Sequence, residues 1–141
     1  MEESLVKDLS ASVTEDVRQY SPLTLAFIGD GVYELFVRTN VVKNTNAPAN
    51  QLHKRCVHYV SAKGQCISFD RIEPLLNDEE ISVFKRGRNT KVNTKAKNAS
   101  LADYKKATGF EALLGYLYVS GKIERLEELM KIAYENSKDT K

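Results

Sequence analysis

Two acidic side chains stand in stretches of sequence that are otherwise apolar or small. Asp30 lies within LAFIGDGVYE, residues 25–34, and Glu111 lies within TGFEALLGYLY, residues 108–118. Taken alone, a carboxylate in such a helix reaches the surface or pairs with Arg or Lys, because burial without a partner costs several kcal/mol. Two such acids on separate helices indicate a shared reason, and we expect both to be buried.

A divalent cation would supply that shared reason. Mg²⁺ takes hard oxygen ligands, keeps several waters, and is commonly held by one or two carboxylates together with phosphate oxygens of a substrate. Such an ion can generate a hydroxide nucleophile and neutralise charge that develops on a phosphate. Asp30 and Glu111 are therefore our candidate metal ligands and catalytic residues.

Helix start and stop signals punctuate the chain and predict an all-α fold of about five to seven helices. Serine and asparagine caps, proline at a first helical position and glycine at a helix end separate the runs of helical hydrophobic spacing. The predicted helices extend from Leu5 to Val17, from Leu23 to about Val42, from Ala49 through Ile67, from the Asn77 cap to near Gly87, from the Ser100 cap to about Ser120, and from Lys122 to about Glu135.

The composition is that of one globular domain. With 141 residues, 42% hydrophobic and 28% charged, we predict a single domain over residues 1–141. Apolar runs end well short of the roughly 18 residues of a membrane span. The first ten residues lack the apolar core of a secretory signal, so we expect a cytoplasmic protein.

The cysteines and histidines do not suggest a disulfide or a zinc site. Cys56 and Cys66 are ten residues apart on one predicted helix, a separation of about 15 Å, which is too long for a disulfide. We expect reduced, half-buried thiols. With His53 and His58 they form no zinc-binding spacing.

The two acidic stretches carry a family resemblance. Ile28-Gly29-Asp30 and the FEALLG of residues 110–115 resemble the two signature helices of the ribonuclease III catalytic domain. The KRGRN of residues 85–89 and the YKKAT of residues 104–108 more closely resemble the short branch called Mini-ribonuclease III, which has no double-stranded-RNA-binding domain. The similarity runs in order from about Ser21 to Met130.

This resemblance implies a homodimeric endonuclease that acts on double-stranded RNA. Asp30 and Glu111 match the metal-site carboxylates of the family. Their implied role is to hold Mg²⁺, with Mn²⁺ as a substitute, to position the attacking water and to stabilise the leaving 3′-oxygen. The implied products have 5′-phosphate and 3′-hydroxyl ends. The short branch further implies precursor 23S ribosomal RNA as the substrate and a ribosomal protein that presents it.

Two positions depart from the larger relatives, which bring four carboxylates to each site. Where those enzymes carry an acid one turn before each matched carboxylate, this chain has Ala26 and Thr108. The number of ions that the site holds, one or two, therefore stays open. For Glu34, one turn after Asp30, we favour a surface or ion-pair role.

A basic segment precedes the Glu111 helix. Between Lys85 and Lys106 there are eight basic residues and one acid, Asp103. Clustered Lys and Arg provide the contacts that RNA phosphates require, whereas an isolated charge run is usually only a solvated surface. The predicted RNA-binding residues are Lys85, Arg86, Arg88, Lys91, Lys95 and Lys97. His53, Lys54 and Lys63 are weaker candidates.

Two other functions compete with an endoribonuclease. Ala26 and Thr108 fit a catalytically weakened relative that binds RNA as a scaffold, although the presence of both Asp30 and Glu111 speaks against it. An all-α nucleotide pyrophosphatase is the second alternative, since such enzymes place acidic pairs at helical spacing. Glu124, Glu127 and Glu128 have this spacing, but their charge-alternating helix favours a solvated face.

Overall fold

The structure, a computed structural model, describes residues 16–91 and 100–135. Within these ranges the chain is helical and contains no strand, so the all-α prediction is confirmed. The six α-helices are α1 (Pro22–Asn44), α2 (Ala49–Val60), α3 (Ala62–Ile72), α4 (Asp78–Arg88), α5 (Leu101–Val119) and α6 (Ile123–Glu135). Short 3-10 turns occupy Val17–Gln19 and Glu73–Leu75. The predicted helix from Leu5 lies outside the described residues except at its last two positions.

Local capping chemistry sets most helix ends where they were predicted. Ser21 and Ser100 each accept a hydrogen bond from the backbone N–H three residues later. Asn77 and Glu80 form a reciprocal capping box at the start of α4. Gly121 follows α5 with a φ of 76°, a conformation that glycine adopts without steric cost.

The second long helix of the prediction is wrong, because the chain breaks at Ser61. This residue has extended backbone angles, ends α2, and caps α3 by accepting a hydrogen bond from Gly64 N–H. A serine side chain that replaces a backbone acceptor in this way competes with helix continuation. Cys56 and Cys66 therefore lie on different helices. Both are free thiols as predicted, although they are buried rather than half-buried.

Helix α5 forms the centre of the fold. Phe110, Ala112, Leu113, Leu114 and Leu117 are fully buried, and they point to different sides of the helix. A helix that is apolar all round must be covered on all sides. Helices α1, α3, α4 and α6 surround it, with α1 in the most extensive contact.

A buried ion pair joins two of these surrounding helices. Glu80 of α4 is 3% exposed and accepts hydrogen bonds from Nε and Nη2 of Arg125 in α6, at 2.8 and 2.9 Å. The paired guanidinium holds the pKa of the Glu80 carboxyl below its usual value.

In the described ranges, no helix has the length and apolar character needed to cross a membrane.

Candidate active site

The candidate site is built where α1 and α5 cross at glycine. A Cβ atom on Gly29 would stand 1.8 Å from the carbonyl oxygen of Glu111, and one on Gly115 would stand 1.9 Å from that of Leu25. Only residues without side chains permit this approach, so the two backbones touch at both points. Asp30 directly follows Gly29, and the crossing therefore places the Asp30 turn of α1 beside the Glu111 turn of α5.

The two acids differ in exposure. Glu111 is half-buried, whereas Asp30 is exposed to solvent. The prediction that both are buried is thus wrong for Asp30. The reason is geometric: the buried side of α1 carries Gly29 and Tyr33, and the Asp30 side chain lies at the rim of the helix contact.

Burial and the neighbouring acid Asp30 both raise the pKa of the Glu111 carboxyl. Burial raises the pKa of Glu111 from 4.5 to about 8, and the nearby charge of Asp30 adds to this rise. A hydrogen bond from Nε2 of Gln65 to Oε2 of Glu111, 3.1 Å long, acts in the opposite direction. A carboxyl group whose proton affinity is raised by burial and by a neighbouring acid lies at a site that a cation would stabilise.

The sequence of this region matches a known domain. Residues 23–122 match the Ribonuclease III domain, which is more than half of the chain. This chain belongs to the ribonuclease III family. Within that family it belongs to the Mini-ribonuclease III branch, and it is an endoribonuclease with RNA as its substrate class.

Curated relatives and a solved structure support this membership over most of the chain. A Mini-ribonuclease 3 from Clostridium tetani is 53% identical, covering 87% of this chain and 84% of the relative. A Mini-ribonuclease 3 from Thermoanaerobacter sp. is 50% identical over 86% of this chain and 85% of its own. A crystal structure of a Fusobacterium nucleatum protein is 30% identical, has a TM-score of 0.79, and covers 88% of this chain and 99% of that one.

The two positions that depart from larger ribonucleases III are buried, and neither side chain offers a free atom to a metal ion. Ala26 and Thr108 are each 6% exposed. The Thr108 hydroxyl donates a hydrogen bond to the carbonyl oxygen of Tyr104, 2.9 Å away, within the same helix. The described part of the chain accordingly contains no group of three or more His, Cys, Asp or Glu residues arranged to hold a metal.

Two carboxylates are nevertheless a donor set that suits Mg²⁺. They offer hard oxygen atoms, and Mg²⁺ in phosphate-processing enzymes is commonly held by one or two carboxylates with water and substrate completing its shell. Glu34 lies one turn further along α1 but is engaged elsewhere, since Arg38 Nη2 donates to its Oε2 at 2.6 Å. The ion-pair role expected for Glu34 is confirmed.

The basic end of α4 lies against the helix turn that carries Glu111. A Cβ on Gly87 would come within 2.8 Å of the Ala112 Cβ and 3.0 Å of the Gly109 Cα. Lys85 and Arg86, which directly precede Gly87 in the chain, are exposed. The position of Gly87 thus fixes a positively charged helix end next to α5.

The other predicted RNA-binding residues differ in their surroundings. Lys91 is exposed, whereas Arg88 is half-buried with its guanidinium 5.6 Å from the centre of the Phe84 ring. Lys95 and Lys97 lie outside the described residues. The weaker candidates His53, Lys54 and Lys63 are exposed on α2 and α3.

Sequence reasoning missed Gln65. Its side chain is 3% exposed and reaches Glu111 from the first turn of α3. The only sequence signal is an amide residue in a segment whose neighbours Cys66, Phe69 and Ile72 are apolar, and that signal is too common to single out a site.

Proposed function

We propose that this chain is a Mg²⁺-dependent endoribonuclease that hydrolyses double-stranded or structured RNA and leaves 5′-phosphate and 3′-hydroxyl ends. The observation that carries the proposal is the placement of Asp30 beside Glu111 at the α1–α5 crossing, close enough for the charge of one to raise the pKa of the other. Family membership supports the reaction class, and the donor set supports the metal.

In this proposal Asp30 and Glu111 hold the ion. When bound, Mg²⁺ supplies charge neutralisation at the scissile phosphate and a water of lowered pKa. Asp30 is exposed and so lies where a phosphate of bound RNA can approach. Glu111 is half-buried and hydrogen-bonded, which holds its carboxylate in one orientation before RNA arrives. Since Ala26 and Thr108 contribute no carboxylates, coordination positions remain for water and phosphate oxygens.

A homodimer is the second part of the proposal, and the outer face of α1 supports it. Leu23, Phe27, Leu35 and Val42 are 44%, 82%, 68% and 59% exposed, and Gly31 on the same face has nothing within 4 Å of a Cβ position. We call these five residues the apolar stripe. A water-exposed stripe of this kind is typical of an interface. Because a two-fold contact pairs the same surface of each copy, docking along α1 would bring two Asp30–Glu111 pairs into one assembly, one for each RNA strand.

RNA would be held through its backbone by the basic end of α4. Lys85, Arg86 and Lys91 are exposed cations near the Glu111 turn. Duplex RNA presents phosphates, 2′-hydroxyls and shape more readily than base edges, so this contact favours duplex form over sequence. The proposed substrate is precursor 23S ribosomal RNA in the cytoplasm, presented with the help of a ribosomal protein. This choice rests on the resemblance to the short branch.

The deciding experiment is cleavage of an end-labelled RNA duplex with Mg²⁺. The native protein is compared with Asp30→Asn and Glu111→Gln, and Glu127→Gln serves as the matched control because Glu127 is an exposed acid on α6. Circular dichroism and sedimentation check that each variant is folded and has the native oligomeric state. We expect the native protein and the control to cut and the two site variants to fail.

Other outcomes identify the competing functions. If the site variants cut as fast as the native protein, the catalytic assignment is wrong. If no protein cuts but all bind duplex, the scaffold alternative holds. Hydrolysis of free nucleotides without cleavage of duplex would instead support a nucleotide pyrophosphatase.

A further inference from the structure

Gln65 is a buried polar residue that connects the break between α2 and α3 to the Glu111 carboxylate. Its side chain is 3% exposed. The Nε2 atom donates to the carbonyl oxygen of Val60 at 2.9 Å and to Oε2 of Glu111 at 3.1 Å. Both protons of this amide nitrogen are therefore used, one on each acceptor.

The orientation of the amide follows from these two acceptors. If the amide were rotated by a half turn, the Oε1 atom of Gln65 would face the Val60 carbonyl oxygen with no proton between the two oxygens. Gln65 must therefore present its N–H group to Glu111. A proton or a cation on Glu111 is then directed to the other oxygen of that carboxylate, Oε1 of Glu111.

The acceptor on Val60 exists because the helix breaks one residue later. In a continuous helix the Val60 carbonyl would accept from the N–H of residue 64. Here Gly64 N–H donates to Oγ of Ser61 instead, at 3.1 Å, which leaves the Val60 carbonyl available to Gln65. The break at Ser61 thus holds one side of the amide while Glu111 receives the other.

One atom of the Gln65 amide lowers the stability of the fold. The Oε1 atom of Gln65 is buried and has no hydrogen-bond partner. A buried polar atom without a partner destabilises the fold; an apolar side chain of the same size would avoid that loss but would leave the Val60 carbonyl and the Glu111 carboxylate without this donor. An amide in this position therefore indicates a role for its donor.

We propose that Gln65 is a positioning residue for metal binding by Glu111, an inference that rests on the metal site of the proposed function. Its N–H group holds Oε2 of Glu111 and so leaves Oε1 of Glu111 oriented for the ion. Partners of this kind, one shell out from the metal, fix the orientation of a ligand, and their loss typically costs about 10–100-fold in metal affinity. Gln65 itself touches neither the ion nor the RNA.

The test measures Mn²⁺ binding without RNA, by the electron paramagnetic resonance signal of the free ion. The informative variant is Gln65→Met, which keeps the length of the side chain and removes both polar atoms. Its matched control is Ser68→Ala, which removes another buried hydrogen bond of α3, the 3.0 Å contact with the Tyr33 hydroxyl, away from Glu111. Glu111→Gln reports whether the measured ion is at the proposed site.

We expect Gln65→Met to weaken Mn²⁺ binding about tenfold, and Ser68→Ala to bind as the native protein does. In RNA cleavage, the metal concentration for half-maximal rate should rise by the same factor. The KM for RNA should stay unchanged, and the rate at saturating metal should stay within about twofold of native. A residue with only a structural role would not separate the metal dependence from these two parameters.

Two results would overturn the inference in distinguishable ways. If Glu111→Gln lowers Mn²⁺ binding but Gln65→Met does not, Gln65 has no positioning role and the metal site stands. If Glu111→Gln binds Mn²⁺ as the native protein does, the metal site is wrong and the role of Gln65 fails with it. Should Gln65→Met be unfolded by circular dichroism, Gln65→Leu gives the same measurement.

Discussion

The backbone of Gly29 lies directly against the carbonyl oxygen of Glu111, so close that a Cβ atom on Gly29 would stand 1.8 Å from it. This contact joins the two helices that carry the candidate metal ligands. The position of Asp30 relative to Glu111 therefore depends on a residue that has no side chain and takes no part in the chemistry.

Replacing Gly29 with alanine should destabilise the protein by about 3 kcal/mol or more, because the new methyl group meets rigid backbone and forces α1 and α5 apart. Gly31→Ala is the matched control. Within its own copy the added methyl meets nothing within 4 Å, and alanine in a helix interior should leave the fold unchanged or stabilise it by about 0.5–1 kcal/mol. Urea unfolding measures both. Equal stability of the two variants would contradict the close crossing.

The pKa of Glu111 should make the metal-free protein less stable as pH rises. Because the folded state holds this proton up to about pH 8 while the unfolded carboxyl loses it near 4.5, the free energy of unfolding should fall between these values and level off above them. Glu111→Gln has no such proton. With a chelator present, its stability relative to the native protein should increase by on the order of 4 kcal/mol from pH 5 to pH 8.5.

Mg²⁺ provides an internal check on this pH dependence. The ion binds the ionised carboxylate, so adding it at pH 8 should restore stability to the native protein and leave Glu111→Gln unchanged. Thermal unfolding with and without Mg²⁺ measures the effect. Parallel pH profiles for the two proteins would show that Glu111 titrates in its ordinary range.

Phe27→Glu should separate the proposed dimer without unfolding the chain. The side chain is 82% exposed in one copy, so its replacement leaves the core untouched, whereas two charges brought together in an interface would weaken association at least about 100-fold. Leu75→Glu, at a 49% exposed position in the turn after α3, is the control. Sedimentation should show a monomer only for Phe27→Glu. If it remains a dimer, the apolar stripe is not the interface.

Lys85→Ala with Arg86→Ala should weaken duplex RNA binding and its dependence on salt. Each phosphate contact contributes about one unit to the slope of log K against log salt, so the double variant should lose about two units. Lys131→Ala removes an exposed cation from α6 and serves as the control. Binding measured over a range of salt concentrations, with the site inactivated by Asp30→Asn, gives both slopes. An unchanged slope in the double variant would remove these residues from the RNA surface.

Helix ends were predictable because their chemistry is local. The caps at Ser21, Asn77 and Ser100 each involve a hydrogen bond to a residue three positions later, and Gly121 acts through its own backbone angles. The break at Ser61 uses the same local bond, but nothing in the hydrophobic spacing distinguishes a serine that caps from one that continues a helix. The break is visible only in the structure, where α3 packs against α5.

The sequence by itself determined the helical fold, most of the helix ends, the family and the pair of acids worth testing, because these depend on residue types and on contacts a few positions apart. Only the tertiary structure decided that Asp30 is exposed while Glu111 is half-buried, and that Gln65 holds the latter. These facts depend on how closely helices distant in the chain approach one another. At Gly29 and Gly115 that approach is limited by backbone contact, which no local pattern of the sequence reports.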